Sequence, residues 1–291
     1  MRPALLLLPL LLAMPVAGAL LEPLTAATVQ PGVAHEYAYG ADPLQQLDFY
    51  PAKGRAGPAP LIVFIHGGGW KRGDKDNATG ASKIEHFTGK GYAFVSVDYR
   101  LVPGARVEDQ AADVASALAW VVGQARQLGI DPARIVLMGH SAGAHLAALV
   151  STDPQWLRAA GLGFDAIRGT VLLDGAAYDV PAQLSDGPRV MQGTYRQAFG
   201  GDPARQKALS PYWQAAAPNV GAFLVLHVDR EDGTRQSEAL AAALRKAGSR
   251  VELDALEGRG LMGHMAINRQ LGETSYPGTA IVDRWVDALL R

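Results

Sequence analysis

The chain contains no cysteine among its 291 residues. A protein without thiols forms no disulfide and has no thiolate nucleophile, iron–sulfur cluster or cysteine-bound zinc. Charge is also scarce, because Asp, Glu, Lys and Arg make up 19% of the residues and leave a formal net charge of −1. Nucleic-acid-binding proteins carry a basic excess that this composition lacks. We therefore expect no thiol chemistry and no nucleic-acid partner.

Long apolar runs are confined to the start of the chain, where Arg2 precedes the apolar segment 4–13. A basic start, about ten apolar residues and a small-x-small site form the layout of a secretory signal peptide. Two prolines interrupt the segment, which is also shorter than the roughly 20 residues that a spanning helix needs. We expect cleavage after Ala19, with Ala26 or Ala27 as alternatives, and an exported protein, periplasmic or secreted, without an integral membrane segment.

From residue 44 onward, apolar runs alternate with amphipathic segments. Several runs have no polar residue, as in strands that are covered on both faces of a parallel sheet. The predicted strands are residues 47–50, 60–65, 92–98, 135–139, 170–174, 223–228 and 250–256. The predicted helices, which show an apolar stripe of period 3.6, are residues 107–128, 235–247 and 278–290. This alternation predicts the α/β class: a three-layer sandwich with a mostly parallel sheet and helices on both faces.

Residues 178–220 interrupt the alternation, since they are rich in Pro, Gly, Tyr and Trp and have no regular period. We interpret them as a cap-like insertion over the top of the sheet, not as a second domain. The predicted organisation is a signal peptide at 1–19, an N-terminal extension at 20–43 and one α/β domain at 44–291.

The pentapeptide Gly-His-Ser-Ala-Gly at 139–143 lies between a predicted strand and a run of small apolar residues. In this position, a G-x-S-x-G motif forms a tight strand-to-helix turn that exposes the serine oxygen at the carboxyl end of the sheet. The helix that begins there directs its free amides and partial positive charge toward that oxygen. We predict that Ser141 is a nucleophile; the alternative is an ordinary glycine-bounded turn.

A second motif, His-Gly-Gly-Gly-Trp at 66–70, also follows a predicted strand. Consecutive glycines leave bare backbone N–H groups that can converge on an oxyanion, and each such donor stabilises a transition state by roughly 3 kcal/mol. We expect the oxyanion donors to be the N–H groups of Gly67 or Gly68 and of Ala142. A phosphate-binding loop is the weaker interpretation, because no G-x-x-x-x-G-K-[ST] motif is present.

Together these two motifs resemble those of the α/β-hydrolase superfamily. More narrowly, they are similar to the esterase and lipase group that includes hormone-sensitive-lipase-like esterases, feruloyl-esterase-like proteins and kynurenine formamidases. The resemblance extends from residue 47 to the C-terminal helix. It implies an α/β-hydrolase domain at 44–291, a Ser-His-Asp triad and an acyl-enzyme mechanism that needs no cofactor.

The resemblance also implies the order nucleophile, acid, histidine, with the histidine after the last strand. His264 lies in a glycine-rich segment after the last predicted strand and is the expected base. The acid is expected after the penultimate strand, where three carboxylates follow one another within four residues. Related sequences place it just ahead of the next helix, which favours Asp232 and leaves Asp229 and Glu231 as alternatives.

The remaining candidates concern metals and the substrate pocket. The histidines at 140 and 145 are five residues apart with no glutamate between them, unlike H-E-x-x-H, so we expect no metal site. Trp70 and Tyr178 lie near the predicted top-face loops. They are candidates for lining the substrate pocket, and the alternative is that they pack the insertion onto the core.

The activity implied by the resemblance is hydrolysis of a carboxylic ester by a serine enzyme. Because no long apolar lid is evident, we expect small to medium acyl or aryl esters, a small-molecule partner. Two alternatives remain open: an arylformamidase that hydrolyses amides of the N-formylkynurenine type, and a non-catalytic binding protein with the same fold.

Overall fold

The computed structural model describes residues 34–76, 78–216 and 218–290. The expected signal peptide at 1–19 therefore lies outside the described residues. One sheet of eight strands, in the spatial order β1-β2-β4-β3-β5-β6-β7-β8, forms the centre of the molecule. The strands are β1 His35–Ala38, β2 Gln46–Tyr50, β3 Ala59–Ile65, β4 Ala93–Val97, β5 Ile130–His140, β6 Gly169–Leu173, β7 Ala222–Asp229 and β8 Arg250–Arg259.

The sheet is antiparallel only at one edge, where β2 pairs with β1 and with β4. All pairs from β4 to β8 are parallel, so the carboxyl ends of those strands meet at one edge of the sheet. Every residue of β3, β4 and β6 is buried, as expected for strands with helices on both faces. The α/β class predicted from the sequence is confirmed.

Helices cover both faces of this sheet and complete two apolar layers. The helices are α1 Ala81–Gly89, α2 Val107–Gly123, α3 Ala125–Leu128, α4 Ala142–Thr152, α5 Pro154–Ala159, α6 Val180–Asp186, α7 Gln192–Phe199, α8 Pro203–Ala208, α9 Pro211–Gln214, α10 Glu231–Lys246, α11 Gly260–Arg269 and α12 Pro277–Leu290. The strand β3 shows the two-residue period of a sheet, since Leu61 and Val63 join the layer of α2, α4 and α10, whereas Ile62 and Phe64 join that of α1, α11 and α12.

The sheet begins earlier in the chain than the sequence indicated. β1 lies inside the segment interpreted as an N-terminal extension at 20–43, and His35 pairs with Phe49 of β2. The boundary at residue 44 was therefore too late. β1 alternates between half-buried and exposed residues. It therefore has no apolar run that would mark it as a strand.

The segment 178–220 connects β6 to β7 and contains α6, α7, α8 and α9 with a short 3₁₀ turn at Arg189–Met191. It is attached to the core by aromatic contacts, because Tyr195 and Phe199 of α7 lie with ring centroids 6.1 and 4.8 Å from that of Trp70. None of the helices in the described ranges is long and apolar enough to cross a membrane.

Candidate active site

Ser141 forms the sharp turn between β5 and α4. Its backbone angles, φ 55° and ψ −119°, lie in a region that residues other than glycine rarely adopt. The flanking glycines make this turn possible: a Cβ on Gly139 would lie 2.3 Å from the carbonyl oxygen of Gly143, and one on Gly143 would lie 2.1 Å from that of Ile65. The strained serine thus lies at the carboxyl edge of the sheet, as in other strained functional turns.

His264 is the side chain that reaches the serine. Its Nε2 lies 3.1 Å from Ser141 Oγ, although 123 residues separate the two in sequence. The histidine lies in the first half of α11, which begins directly after β8, and not in the loop that the glycine-rich sequence indicated. The structure therefore brings together the nucleophile and the base that the sequence predicted.

The carboxylate that contacts His264 is Asp174, directly after β6. Oδ2 of Asp174 lies 2.6 Å from His264 Nδ1 and accepts a second hydrogen bond from Arg230 Nε at 2.8 Å. Oδ1 accepts a hydrogen bond from the backbone N–H of Val228 at 3.2 Å. Burial alone would raise the pKa of this fully buried group, but the hydrogen bond to His264 and the charge of Arg230 outweigh burial and lower it. Asp174 is therefore an anion at neutral pH.

Asp232, the acid expected from the sequence, is placed differently. No hydrogen bond within the described ranges joins it to His264. Its Oδ2 accepts a hydrogen bond from Gln183 Nε2 at 2.9 Å, and its Oδ1 faces Arg230 Nη1 at 3.4 Å. The geometry thus corrects the expected partner of His264 from Asp232 to Asp174.

The two alternatives for the acid are also placed elsewhere. Asp229 pairs with Arg259 at 2.7 Å, and the exposed Glu231 lies 3.6 Å from Arg235. A signal for Asp174 is present in the sequence, since it is an acidic residue at the carboxyl end of an apolar strand next to the serine strand. The predicted strand 170–174 includes Asp174 as its last residue, whereas β6 ends at Leu173 and leaves Asp174 just beyond the strand.

The glycine-rich loop adjoins the serine from the other side. A Cβ on Gly67 would lie 3.1 Å from Cβ of Ser141. Among the hydrogen bonds of the described residues, none uses the N–H of Gly67, Gly68 or Gly69 as donor. Ala142 is the first residue of α4, where N–H groups have no partner within the helix. Gly67 and Ala142, two of the expected oxyanion donors, therefore adjoin Ser141, and their role remains a prediction.

His66 braces the glycine-rich loop. Its ring stacks on that of Tyr99 at 4.3 Å between centroids, and its Nδ1 donates to the carbonyl oxygen of Gly67 at 2.7 Å. Burial lowers the pKa of His66 to about 4. A neutral imidazole at this place holds the loop conformation without adding charge to the site.

The histidines on either side of Ser141 are buried and hold neighbouring segments. His140 Nε2 donates to the carbonyl oxygen of His264 at 2.9 Å, and the two rings lie 4.5 Å apart. Burial, together with the nearby His264, lowers the pKa of His140 well below its ordinary value. His145 Nδ1 accepts from Trp70 Nε1 at 3.2 Å, and its Nε2 donates to a backbone carbonyl. Both contacts fit a positional role.

A cavity of about 570 Å³ opens above Ser141 and His264. The insertion provides one apolar wall, and the start of α11 and the segment between β7 and α10 provide the other. Its lining side chains are Trp70, Ala176, Pro188, Val190, Met191, Tyr195, Asp229, Arg230, Glu231, Asp232 and Leu261. The insertion thus helps to shape the space above the serine.

The two aromatic pocket candidates have different positions. Trp70 lines this cavity, although its side chain is almost fully buried. Tyr178 is not among the lining residues; it is fully buried in the core, next to Gly175. The expectation that Tyr178 contributes to the pocket is therefore corrected, because the residue packs the insertion onto the sheet. Within the described ranges, no group of three or more His, Asp and Glu side chains is arranged to hold a metal ion.

This geometry is accompanied by similarity to known proteins. A family model named BD-FAE matches residues 47–159. The chain is 28% identical over 251 residues to a probable isoprenylcysteine α-carbonyl methylesterase of Arabidopsis thaliana, and the match covers 79% of this chain and 51% of that protein. It is 35% identical over 122 residues to the esterase LipC of Mycobacterium tuberculosis, covering 40% of this chain and 30% of that protein. The chain thus spans about half or less of the length of these two relatives.

Among solved structures, the chain is similar to a thermophilic esterase of the planctomycete Thermogutta terrifontis that was solved with butyrate bound. The sequence identity is 27%, the TM-score is 0.70, and the match covers 88% of this chain and 94% of that one. The likeness therefore covers most of both chains.

Proposed function

This chain belongs to the esterase and lipase group of the α/β-hydrolase superfamily, and on that basis we propose that it hydrolyses carboxylic esters. Ser141 is the nucleophile, His264 the general base and Asp174 the acid of the triad. Two contacts carry this proposal: Asp174 Oδ2 lies 2.6 Å from His264 Nδ1, and His264 Nε2 lies 3.1 Å from Ser141 Oγ. A hydroxyl activated by an oriented imidazole is the arrangement that acyl transfer requires.

The reaction follows from the placement of these three groups. His264 Nε2 removes the hydroxyl proton as Ser141 Oγ attacks the ester carbonyl. Asp174 accepts the Nδ1–H of the ring, which fixes the tautomer and stabilises the imidazolium. The imidazolium then gives its proton to the leaving alcohol, and an acyl-enzyme remains. Water, activated by the same histidine, releases the acid and regenerates the serine.

The negative charge that develops on the carbonyl oxygen requires donors that are already in place. We assign this role to the N–H groups of Gly67 or Gly68 and of Ala142; Gly67 adjoins Ser141, and Ala142 follows it at the start of α4. Gly69, which lines the cavity beside Ser141, is a further donor of the same loop. Each such donor stabilises the transition state by about 3 kcal/mol.

The dimensions and lining of the cavity support small to medium acyl or aryl esters as substrates. Its apolar side chains from the insertion face the serine across a space of about 570 Å³. Pockets of this size hold drug-sized molecules and are mostly apolar with a few polar groups. The similar planctomycete esterase was solved with butyrate bound, which is consistent with a short acyl group here.

The proposal is tested by replacing Ser141 with alanine. We expect nitrophenyl ester turnover to fall by about 10³-fold or more and labelling by a fluorophosphonate probe to disappear. Ser185→Ala, an exposed serine of α6, serves as the matched control and should retain both.

A panel of nitrophenyl esters from acetate to decanoate, run beside N-formylkynurenine, locates the preferred bond. Turnover of the formamide alone would reassign the activity to amide hydrolysis. A wild-type protein that neither turns over esters nor takes up the probe would leave only a binding role.

We also propose that the protein is exported, on the strength of the charged, apolar and small-residue pattern at the start of the sequence. Expression of the full chain in a bacterial host, followed by N-terminal sequencing of the protein in the periplasmic fraction, tests this. A chain that keeps Met1 and stays in the cytoplasm would contradict export.

A further inference from the structure

We propose that Arg230 is a positioning residue of this site, which anchors the triad acid against His264 and places a fixed positive charge beside the pair. The inference rests on the triad proposed above and concerns the effect of the permanent positive charge of Arg230 on Asp174 and His264. Arg230 directly precedes α10, at the end of β7, and its side chain is only 13% exposed.

The guanidinium shares one carboxylate oxygen with the catalytic imidazole. Arg230 Nε donates to Asp174 Oδ2 at 2.8 Å, and His264 Nδ1 approaches the same oxygen to 2.6 Å. Arg230 Nη2 also donates to the carbonyl oxygen of Gly175 at 3.3 Å, beside the acid. A planar guanidinium with several bonds to one loop restricts the carboxylate more than a single hydrogen bond does. The acid is thus held against the imidazole from two sides.

Asp232 gives this arginine a counterion on its other side. Its Oδ1 lies 3.4 Å from Arg230 Nη1, and Gln183 of the insertion donates to its Oδ2 at 2.9 Å. The contacts form a continuous row from Gln183 through Asp232, Arg230 and Asp174 to His264. The row explains why Asp232 is buried although it does not touch His264: its charge balances that of a buried arginine.

The charges in this row act on His264 in opposite directions. The Asp174 anion favours the imidazolium, the Arg230 cation disfavours it, and Asp232 weakens the effect of the cation. A charge within about 4–6 Å shifts a pKa by one unit or more. Arg230 keeps its charge at every working pH, so its contact with Asp174 does not itself change with pH.

Other titratable groups near the row do not replace this cation. Burial keeps His140 neutral at the end of β5. Desolvation lowers the pKa of Lys83, on α1, to about 7, and this lysine acts on His140. The other neighbouring groups are the phenols Tyr178, Tyr195 and Tyr276, whose pKa values burial raises, and the carboxylates Asp229 and Glu231, which line the cavity. Of the groups in contact with Asp174 among the described residues, Arg230 is the one with a permanent positive charge.

The test is the pH dependence of ester turnover in variants that change one charge at a time. We expect Arg230→Met to lower kcat and to move the acid limb of kcat/KM upward by about one pH unit, because the imidazolium loses its repulsion. Arg230→Lys, which keeps the charge, should return the limb toward its wild-type position. Asp232→Asn should move the limb the other way, downward by about half a unit, because the arginine loses its counterion.

Arg259→Met is the matched control, because it removes the same charge from a side chain that is 87% exposed. Its acid limb should stay in place. Shifts of Arg230→Met and Asp232→Asn in the same direction, or none larger than that of Arg259→Met, would overturn the inference. If Arg230→Met fails to fold, the positions of the acid limb of kcat/KM in Arg230→Lys and Asp232→Asn provide the same test.

The pH profile of fluorophosphonate labelling separates this inference from the proposed function. Labelling of wild-type Ser141 supports the triad whatever the natural substrate is. A wild type that is labelled, with variants that show no opposite shifts, leaves the triad standing and removes the role of Arg230. A wild type that is never labelled removes the proposed function itself.

Discussion

Asp174 and Asp232 lie on either side of the Arg230 guanidinium, and both are buried. Of the two, only Asp174 reaches the imidazole of His264. Position in the chain does not reveal this difference, since β6 and β7 are adjacent parallel strands that end at the same edge of the sheet. Neighbouring strands lie about 4.8 Å apart, so an acid at the end of either one can approach the same histidine.

We predict that Asp174→Asn lowers kcat for ester turnover by about 10³- to 10⁴-fold, because the neutral amide gives the imidazolium no counter-charge and its NH2 group, donating to Nδ1, selects the wrong tautomer. Asp232→Asn should cost less than about tenfold, since its carboxylate acts through the arginine. Steady-state kinetics of both purified variants at pH 8 measure the two effects. The opposite ranking would return the acid to the segment after β7.

At the scale of elements, the turn from β5 into α4 depends on close contact with the neighbouring strand β3. Gly143 lies in the first turn of α4, where a Cβ would lie 2.1 Å from the carbonyl oxygen of Ile65 at the end of β3. Gly193 of α7 is also helical, but nothing lies within 4 Å of a Cβ placed there. The same substitution thus tests packing at one position and helix propensity at the other.

We predict that Gly143→Ala lowers the free energy of unfolding by more than about 2 kcal/mol and displaces Ser141 from His264, because the backbone must move to admit the methyl group. Gly193→Ala should raise the free energy of unfolding by up to about 1 kcal/mol, through helix propensity and a less flexible unfolded chain. Urea denaturation and ester turnover of both variants provide the comparison. Equal stability of the two proteins would show that α4 does not depend on this close approach.

At the scale of the whole molecule, buried histidines connect the fold to pH. His66 and His145 lie in different parts of the same apolar layer, and burial lowers the pKa of each to about 4. The pKa of an unfolded histidine is about 6.5. Between pH 6.5 and 4, the unfolded chain therefore binds more protons at these sites than the folded one, so stability falls as the pH falls.

We predict a decrease in the free energy of unfolding of about 3 kcal/mol for each of these histidines between pH 7 and pH 4. Asp98 acts in the opposite direction, because burial raises its pKa to about 6 and favours its protonated form. His145→Gln, measured by urea denaturation at both pH values, should remove the contribution of one histidine. The difference in free energy of unfolding between His145→Gln and the wild type at pH 7, where both forms of this site are neutral, measures the cost of altered packing. An unchanged pH dependence in this variant would contradict the assignment.

Much of the sheet was predictable because a buried parallel strand carries its signal locally. The seven predicted strands correspond to β2 through β8, and several of them, such as β3, are continuous apolar runs that can be recognised without knowledge of their neighbours. The exception was β1, whose alternating exposure gives it no such run. The strand end at Asp174 shows the same limit, because an acid that follows an apolar run can be assigned to the strand as easily as to the site.

The sequence by itself determined the alternation of strands and helices from β2 onward and, through glycines that admit no side chain, the turn that presents Ser141. These properties depend on residues that are close together in the chain. Only the tertiary structure decided that Asp174 and not Asp232 contacts His264, that Tyr178 belongs to the core and that Arg230 holds the acid. Those outcomes depend on distances between strand ends and side chains that the fold brings together, and a difference of a few ångströms decides which carboxylate reaches the imidazole.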